Sequence, residues 1–588
     1  STLTVDVQSL PPVSGLANLP APFFDIADMD RLELPFVMPA SPSETLLSAS
    51  AILASHFAVE SGFRGADFPV HHTQIPDQHA VVIGTPEQMP LGVELPRING
   101  PTLLQQANPN NPMYRLLIAT GKTEQEVKNA ATYLASYQAR LSGDSEQVSA
   151  PLFPLRKPYD APNWQALNEP IFLTSMTSSS EMVGEGIRPP PQNYSFRLPP
   201  NIHLWPGDDV TLEIGYEFPR GDWLNESDSR LEVELNGSYL GSLPVEKRSL
   251  AWDAWRLLGN DIRQERATLR IPQEQLYGNN QLSFYFNMAV NTPEDGCELG
   301  LPDRIETRLY PDSYLDMSDA QHFAVLPELS YWLSAGFPFT QWADLSQTTL
   351  MVASEPDAVE ISTALGLIGR MGASTGYPST ALNIRKGLTL NDSLAQQDIL
   401  VVARADQLEN SQLNSHIDPF SIQQGALRVT PLSLLSRLNL WSQAQWGKDV
   451  ERSRNRLGSQ APEQVLMGVR SPLNPMRSIV VATAFHDEGM RTLAAIIDQP
   501  QISRQAVGDL VVISPDHKVN AYQVGPRTAR GRMVWHRLIR WYAGQYIIPM
   551  LLAMVTVLLL MAGVFYSALK RRALRRAYSG SNTHPGGK

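Results

Sequence analysis

At 588 residues the chain exceeds the size at which one hydrophobic core keeps growing, so several domains are expected. Its 59 acidic against 47 basic residues leave a formal charge of -12, which excludes nucleic-acid binding driven by electrostatics. The 46 Pro and 38 Gly are scattered, as in a globular chain with many turns and short strands.

The chain opens at Ser1 without a signal peptide, although the exported body inferred below needs one, so a preceding segment is expected. After an N-terminal stretch (1–30), residues 31–150 alternate strand and helix. LPFVMPASPSETLLSASAILASHF (34–57) is an apolar strand, a Ser/Pro turn and a long helix of small and apolar residues, and HAVVIGT (79–85) and RLLIATGKTEQEVKNAATYLAS (115–136) follow. Buried strands alternating with helices predict a parallel, doubly wound, flavodoxin-like sheet. Ala119–Thr123 looks like the end of a phosphate loop, but Leu116 stands inside the strand where the first Gly belongs. Thr123 is instead expected as a helix N-cap, with Glu126 completing a capping box. His71 and His72 have no carboxylate or thiolate nearby, and HExxH and CxxC are absent, so no metal is expected.

Residues 151–326 change character. YSFRLPPNIHLWPGDDVTLEIGYEF, SRLEVELNGSYLGSLPV and ATLRIPQEQLYGNNQLSFYFNMAV alternate with period two and break at turns such as Asn236-Gly237, predicting a jelly-roll β-sandwich. VGEG (183–186) lacks a third Gly and reads as a flexible loop, and Asp208-Asp209 sit in an ordinary turn. Trp205, Trp223, Tyr239, Trp252 and Trp255 are candidate sugar-stacking residues, since an aromatic face suits the apolar face of a pyranose. The competing reading is that several pack the core, Trp252 and Trp255 as one side of a short buried helix. Cys297, the one cysteine, stands free or has lost its partner.

Residues 327–525 repeat the first pattern: Thr348–Gly372 matches 34–57, DILVVAR (398–404) matches 79–85, and RSIVVATAFHDEGMRTLAAIID (477–498) matches 115–136, with an insertion near 405–475. The turns PASPSE and ASEPDA carry Pro and little Gly, so no flavin or other cofactor is expected. Drawn as a helix within 526–545, Arg530–Tyr542 puts Val534, Trp535, Leu538, Ile539, Trp541 and Tyr542 on one side and Arg530, Arg532, His536, Arg537 and Arg540 on the other, as for a helix in lipid headgroups. Ile547–Leu569, within 546–569, has no ionised side chain and is long enough to span a bilayer. The basic tail (570–588) is expected on the cytoplasmic side, leaving the bulk of the chain outside the inner membrane. Its Arg571/Arg575 and Arg572/Arg576 pairs read as a stop-transfer cluster. No GxSxG elbow or other catalytic constellation appears, so an enzyme is not expected.

Six motifs in order, PAPFFDIADMDRLELPFV (20–37), SHFAVESGFRGADFPV (55–70), RKPYDAPNW (156–164), FRLPPNIHLWP (196–206), GFPFTQWADLSQTTLMV (336–352) and the terminal helices, resemble the bacterial cellulose synthase B subunit. That family alternates carbohydrate-binding-like sandwiches with flavodoxin-like domains; the period-two pattern here predicts one sandwich, and the resemblance implies Thr2–Val7 as the last strand of a preceding one. The resemblance implies a non-catalytic partner of the catalytic cellulose synthase subunit, contacting nascent cellulose and inner-membrane lipids. Family members are described as cyclic di-GMP-binding, a ligand expected to act through the catalytic partner. Edge strands and an acidic surface permit self-association. The alternatives are a membrane-anchored carbohydrate-active enzyme and a structural assembly protein.

Overall fold

A computed structural model of the chain describes residues 14–245, 265–291, 301–430 and 448–580, other than 137–140, 150, 152, 168, 178, 206, 207, 209, 220, 222, 277 and 458–461. The expected 2–7 strand, Asp209, Trp252, Trp255, Cys297 and the end of the basic tail lie outside the described residues. The fold is mixed α/β. Strands β1 (Phe36–Met38), β2 (Val70–His72), β3 (Ala80–Ile83), β4 (Thr102–Ala107), β5 (Arg115–Thr120) and β6 (Ser145–Gln147) form a sheet in the order β2-β1-β3-β5-β4-β6. Its β2, β1, β3 and β5 are parallel, while β4 runs antiparallel to β5 and to β6.

Helix α1 (Glu44–Ser61) follows β1 and α2 (Glu124–Leu134) follows β5. Thr123 Oγ1 caps α2 by accepting the Glu126 N–H at 3.3 Å, but the expected reciprocal box does not form. The chain passes so close at Gly121 that a Cβ there would collide with Glu126, whose carboxylate takes the Lys122 N–H at 2.6 Å. Both helices cover the same sheet face, over Phe36, Met38, Val81 and Leu117. The other face, Val37, Val82, Leu116 and Ile118, is covered by Ile75, Met89, Val93 and Leu95 from connecting segments. The sheet is thus wound on one face, not two, because the antiparallel β4 arrives without a crossover helix.

The middle of the chain forms two antiparallel sheets around a shared core. Its strands are β7 (Ile171–Phe172), β8 (Val183–Glu185), β9 (Gln192–Arg197), β11 (Val210–Glu217), β12 (Leu224–Leu235), β13 (Ser238–Pro244), β14 (Glu265–Ile271), β15 (Asn279–Val290), β16 (Glu306–Leu309) and β17 (Tyr314–Asp316), while the intervening β10 (Ile202–His203) belongs to neither sheet. One sheet runs β9-β15-β12-β13; in the other β11 pairs with β14 and, on its opposite edge, with β16 and β17. Leu231, Val233 and Leu235 of β12 and Leu282 and Phe284 of β15 meet Leu212, Ile214 and Leu309 between them. Asn236 (φ 53°) and Gly237 (φ 74°) make the β12–β13 turn with two left-handed residues, as that dipeptide favours. The supposed VGEG loop is β8, paired with β16; Gly184 lies flat against Thr307 and Pro189, with no room for a side chain.

After β18 (Gln321–Leu326) and α3 (Leu329–Ala335), β19 (Thr348–Val352), β20 (Asn383–Lys386), β21 (Asp398–Val402), β22 (Gln464–Arg470), β23 (Ser478–Ala484), β24 (Leu510–Ile513) and β25 (Val519–Tyr522) form a second α/β sheet, ordered β20-β19-β21-β23-β22-β24-β25. Strand for strand this repeats the first sheet and adds one edge. Helices α4 (Ala358–Thr375) and α5 (Asp487–Ile497) cover one face; the hairpin of Phe420–Gln423 and Ala426–Val429, from the insertion, covers the other through Phe420, Ile422, Leu427 and Val429. The helical faces of the two units meet: α1 packs on α4, α1 also touches β20, and α4 touches β2. Small residues make the crossing close, since a Cβ on Gly369 would meet Phe68 at 2.8 Å and one on Gly372 would meet Ser55 Cβ at 2.9 Å.

Candidate functional site

The chain ends with β26 (Thr528–Gly531), α6 (Trp535–Gln545) and α7 (Ile547–Gly580). β26 pairs antiparallel with β18, Arg530 opposite Ala324, and the other edge of β18 takes β10. This corrects the reading of Arg530 as the first residue of an amphipathic helix: it lies in a strand, and its guanidinium turns inward. Asp398 Oδ1 and Oδ2 accept from Arg530 at 2.8 and 3.0 Å, Oδ2 accepts from Arg477 at 2.9 Å, and Oδ1 takes the Ser478 N–H at 2.9 Å. The Asp398 side chain is 2% exposed and the two arginines 11–12%, so water screens this cluster little.

Along α6, Arg537 donates to Asp208 at 2.8 and 3.1 Å, Trp541 lies edge-on to Phe323 with centroids 5.2 Å apart, and Arg540 sits over Trp205 at 5.4 Å. The helix therefore divides differently from the expected apolar and basic halves. Arg537 and Trp541 face the protein and Leu538 is half-buried, while Trp535 (72%), Ile539 (58%) and Tyr542 (44%) stand exposed at spacings of four and three. Most apolar residues of α7 from Ile547 to Leu574 are exposed, and at 1.5 Å per residue its 34 residues extend about 50 Å, longer than a hydrocarbon core. α1 is also long and apolar enough to span a bilayer but is mostly buried inside the protein.

Among the described residues, the aromatic candidates Trp205, Trp223 and Tyr239 do not converge. Trp223 is 6% exposed and belongs to the two-sheet core, which removes its faces from any sugar. Trp205 is covered by Arg540 and lies edge-on to His203 at 5.3 Å. Tyr239 is 60% exposed on the outer face of the β9-β15-β12-β13 sheet. Pairing register places Asn193, Ser283, Glu234 and Tyr239 in one row across that face, Ser195 opposite Gln281 in the next row, and Arg197 opposite Asn279 beyond.

The last two rows form one wall of a cleft of about 850 Å³, whose other walls are Asn163 and Gln165, the end of α3, and Arg370 and Ser374 of α4, with Phe63 at 86% exposure on its rim. Arg197 donates to the carbonyls of Ser374 (3.1 Å) and Ser334 (3.2 Å), tying the sheet to both helices; burial, then the proximity of Arg370, lowers it to about 10. Arg370 pairs with Asp498 at 2.6 Å. Near the opposite end of β18, His322 stacks on Tyr159 with centroids 3.6 Å apart, and burial lowers it to about 4.

Sequence reasoning missed Asp398, Asn279 and Gln281, and read Asp208 only as a turn residue, a role it also fills by accepting the Trp205 N–H at 3.0 Å. A carboxylate heading the otherwise apolar strand DILVV was the available signal for Asp398. Among the described residues, no three His, Cys, Asp or Glu side chains converge as for a metal.

Family models described as cellulose synthase BcsB match three stretches: the first FD domain over residues 15–148, the second CBM domain over 170–314 and the second FD domain over 322–482. A protein named cellulose synthase 2 from Novacetimonas hansenii is 31% identical over 98% of this chain and 36% of its own length, so the chain spans about a third of that polypeptide. Proteins named cyclic di-GMP-binding protein are 30% identical in Komagataeibacter xylinus, covering 98% of this chain and 72% of the relative, and 29% identical in Escherichia coli (strain K12), covering 98% and 74%.

Proposed function

Because this chain belongs to the cellulose synthase BcsB family, we propose that it is the non-catalytic, membrane-anchored subunit that supports the glycosyltransferase through its terminal helices and receives the emerging β-1,4-glucan outside the inner membrane. One observation carries this reading: nearly the whole chain aligns within a longer polypeptide named a cellulose synthase, so in that relative the counterpart of this chain is covalently joined to the rest of the synthase. The exposed stripe Trp535, Ile539 and Tyr542 then meets lipid or the catalytic partner, and α7 crosses the membrane with Arg571, Arg572, Arg575 and Arg576 on the cytoplasmic side.

In this reading residues 31–150 and 327–525 are α/β domains that share the flavodoxin-like strand order at β2-β1-β3 and β20-β19-β21, with helices on one face and without flavin, and 151–326 is a jelly-roll module that handles sugar. The cyclic di-GMP in the relatives' names acts through the catalytic partner, with this subunit holding that partner in its productive state. The test is glucan synthesis from UDP-glucose in membranes carrying the catalytic partner, comparing the full chain with one ending after Met533, which keeps β26 and the Asp398 cluster but lacks α6 and α7. Loss of synthesis is expected; undiminished synthesis would refute the role of the terminal helices.

A further inference from the structure

We propose that the cleft between the outer face of β9/β15 and the ends of α3 and α4 binds a neutral β-linked glucan, with Ser195, Asn279 and Gln281 as its hydrogen-bonding wall and Phe63 as its aromatic rim. The inference rests on the glucan-handling reading above and deepens it by naming a site. A volume of about 850 Å³ falls within the usual range of about 300–1,000 Å³ for ligand pockets.

Chemistry selects the ligand class. The side chains of Ser195, Asn279 and Gln281 make no hydrogen bond to any described residue, and each offers both donor and acceptor capacity, as sugar hydroxyls do. No carboxylate is found among the lining residues. The two cations, Arg197 and Arg370, are committed to backbone carbonyls and to Asp498, which leaves little for a phosphate or an acidic sugar. An apolar ligand would strand the amides. Phe63, at 86% exposure and with the Arg64 guanidinium 5.9 Å over its ring, keeps open aromatic surface at the rim, where a pyranose face can stack.

Geometry selects an extended chain. Residues two apart on a strand are about 6.8 Å apart, so the rows Arg197/Asn279, Ser195/Gln281 and Asn193/Ser283 follow one another in a track of regular spacing, the third closed by the buried Ser283 hydroxyl donating to Asn193 at 2.7 Å. The last row leads across the sheet, past Glu234, to Tyr239, the exposed aromatic on the same face; that carboxylate lies beyond the cleft itself. The track thus passes from one aromatic to another over a hydrogen-bonding floor, the arrangement a polymer of alternating hydroxyl edges and apolar faces requires.

The experiment is calorimetric titration of the full chain in lipid nanodiscs with cellohexaose, and with isomaltohexaose as a neutral glucan of different linkage. Wild type, N279A/Q281A, F63A and a control at the exposed Leu155, which does not line the cleft (L155A), are compared, with thermal unfolding to verify that each variant is folded. Cellohexaose binding is expected in wild type and L155A, weakened at least about tenfold in N279A/Q281A and in F63A. Equal affinity in wild type and both cleft variants would overturn the site while leaving glucan handling elsewhere on the protein. Absence of binding by wild type would also overturn it, and the UDP-glucose assay above then decides separately whether the accessory role survives.

Discussion

Replacing Asp398 by Asn should release the C-terminal strand. The carboxylate is 2% exposed and balances Arg477 and Arg530 together, so the substitution leaves two buried guanidinium groups facing a neutral amide. Stripping a buried charge of its partner costs about 3–5 kcal/mol. Arg530→Met is milder: Asp398 keeps Arg477 and the Ser478 N–H, and the loss is that of hydrogen bonds to a charged group, about 1.5–3 kcal/mol. The readout is native-state hydrogen exchange of the β26 and β18 amides in the full chain, reconstituted in micelles. At 1.4 kcal/mol per decade, Asp398→Asn should lower protection by about a hundredfold to several thousandfold, and Arg530→Met by about ten- to a hundredfold. Protection in Asp398→Asn within tenfold of wild type, or equal losses in the two variants, would refute the argument that Asp398 is the shared charge on which both arginines depend.

Two further outcomes follow from packing and from titration. Gly372→Ala puts a methyl against Ser55 Cβ at 2.9 Å and should destabilise by about 1–3 kcal/mol, while Gly278→Ala, with nothing within 4 Å, costs under about 1; denaturant midpoints compare the two. His322 stays neutral in the folded protein down to about 4, whereas an unfolded histidine protonates near 6.5. Its contribution is therefore complete above about 6.5 and is lost as pH falls towards 4, and His322→Gln should show a shallower loss of stability over that window than wild type.

Much of the architecture was legible because burial writes itself into apolar periodicity. The strand–helix units at 34–57 and 348–372 carry that pattern, and Asn236-Gly237 marks its hairpin by the left-handed backbone it tolerates. The sheet faces were not legible: β22 has an apolar centre like its parallel neighbours, β4 mixes Leu103 and Leu104 with Gln105 and Gln106, and direction leaves no mark on composition. Arg530 illustrates a different limit, since a strand of four residues beside an amphipathic helix shares its alternation of charge and apolar groups. The cleft is formed by residues far apart in sequence, Phe63, Asn163, Ser195, Asn279 and Ser374, which only the docking of the sandwich on α3 and α4 gathers.

The meeting of α1 with α4 carries a consequence for symmetry. These are equivalent helices of the two α/β units, and each also reaches the second strand of the other unit, α1 to β20 and α4 to β2. Reciprocal contacts of this kind are the signature of an isologous interface, in which one patch is complementary to itself. Here both halves of that interface belong to one polypeptide, so the pseudo-twofold is already satisfied internally. Any second copy of the chain must therefore bind through surfaces outside this helical layer.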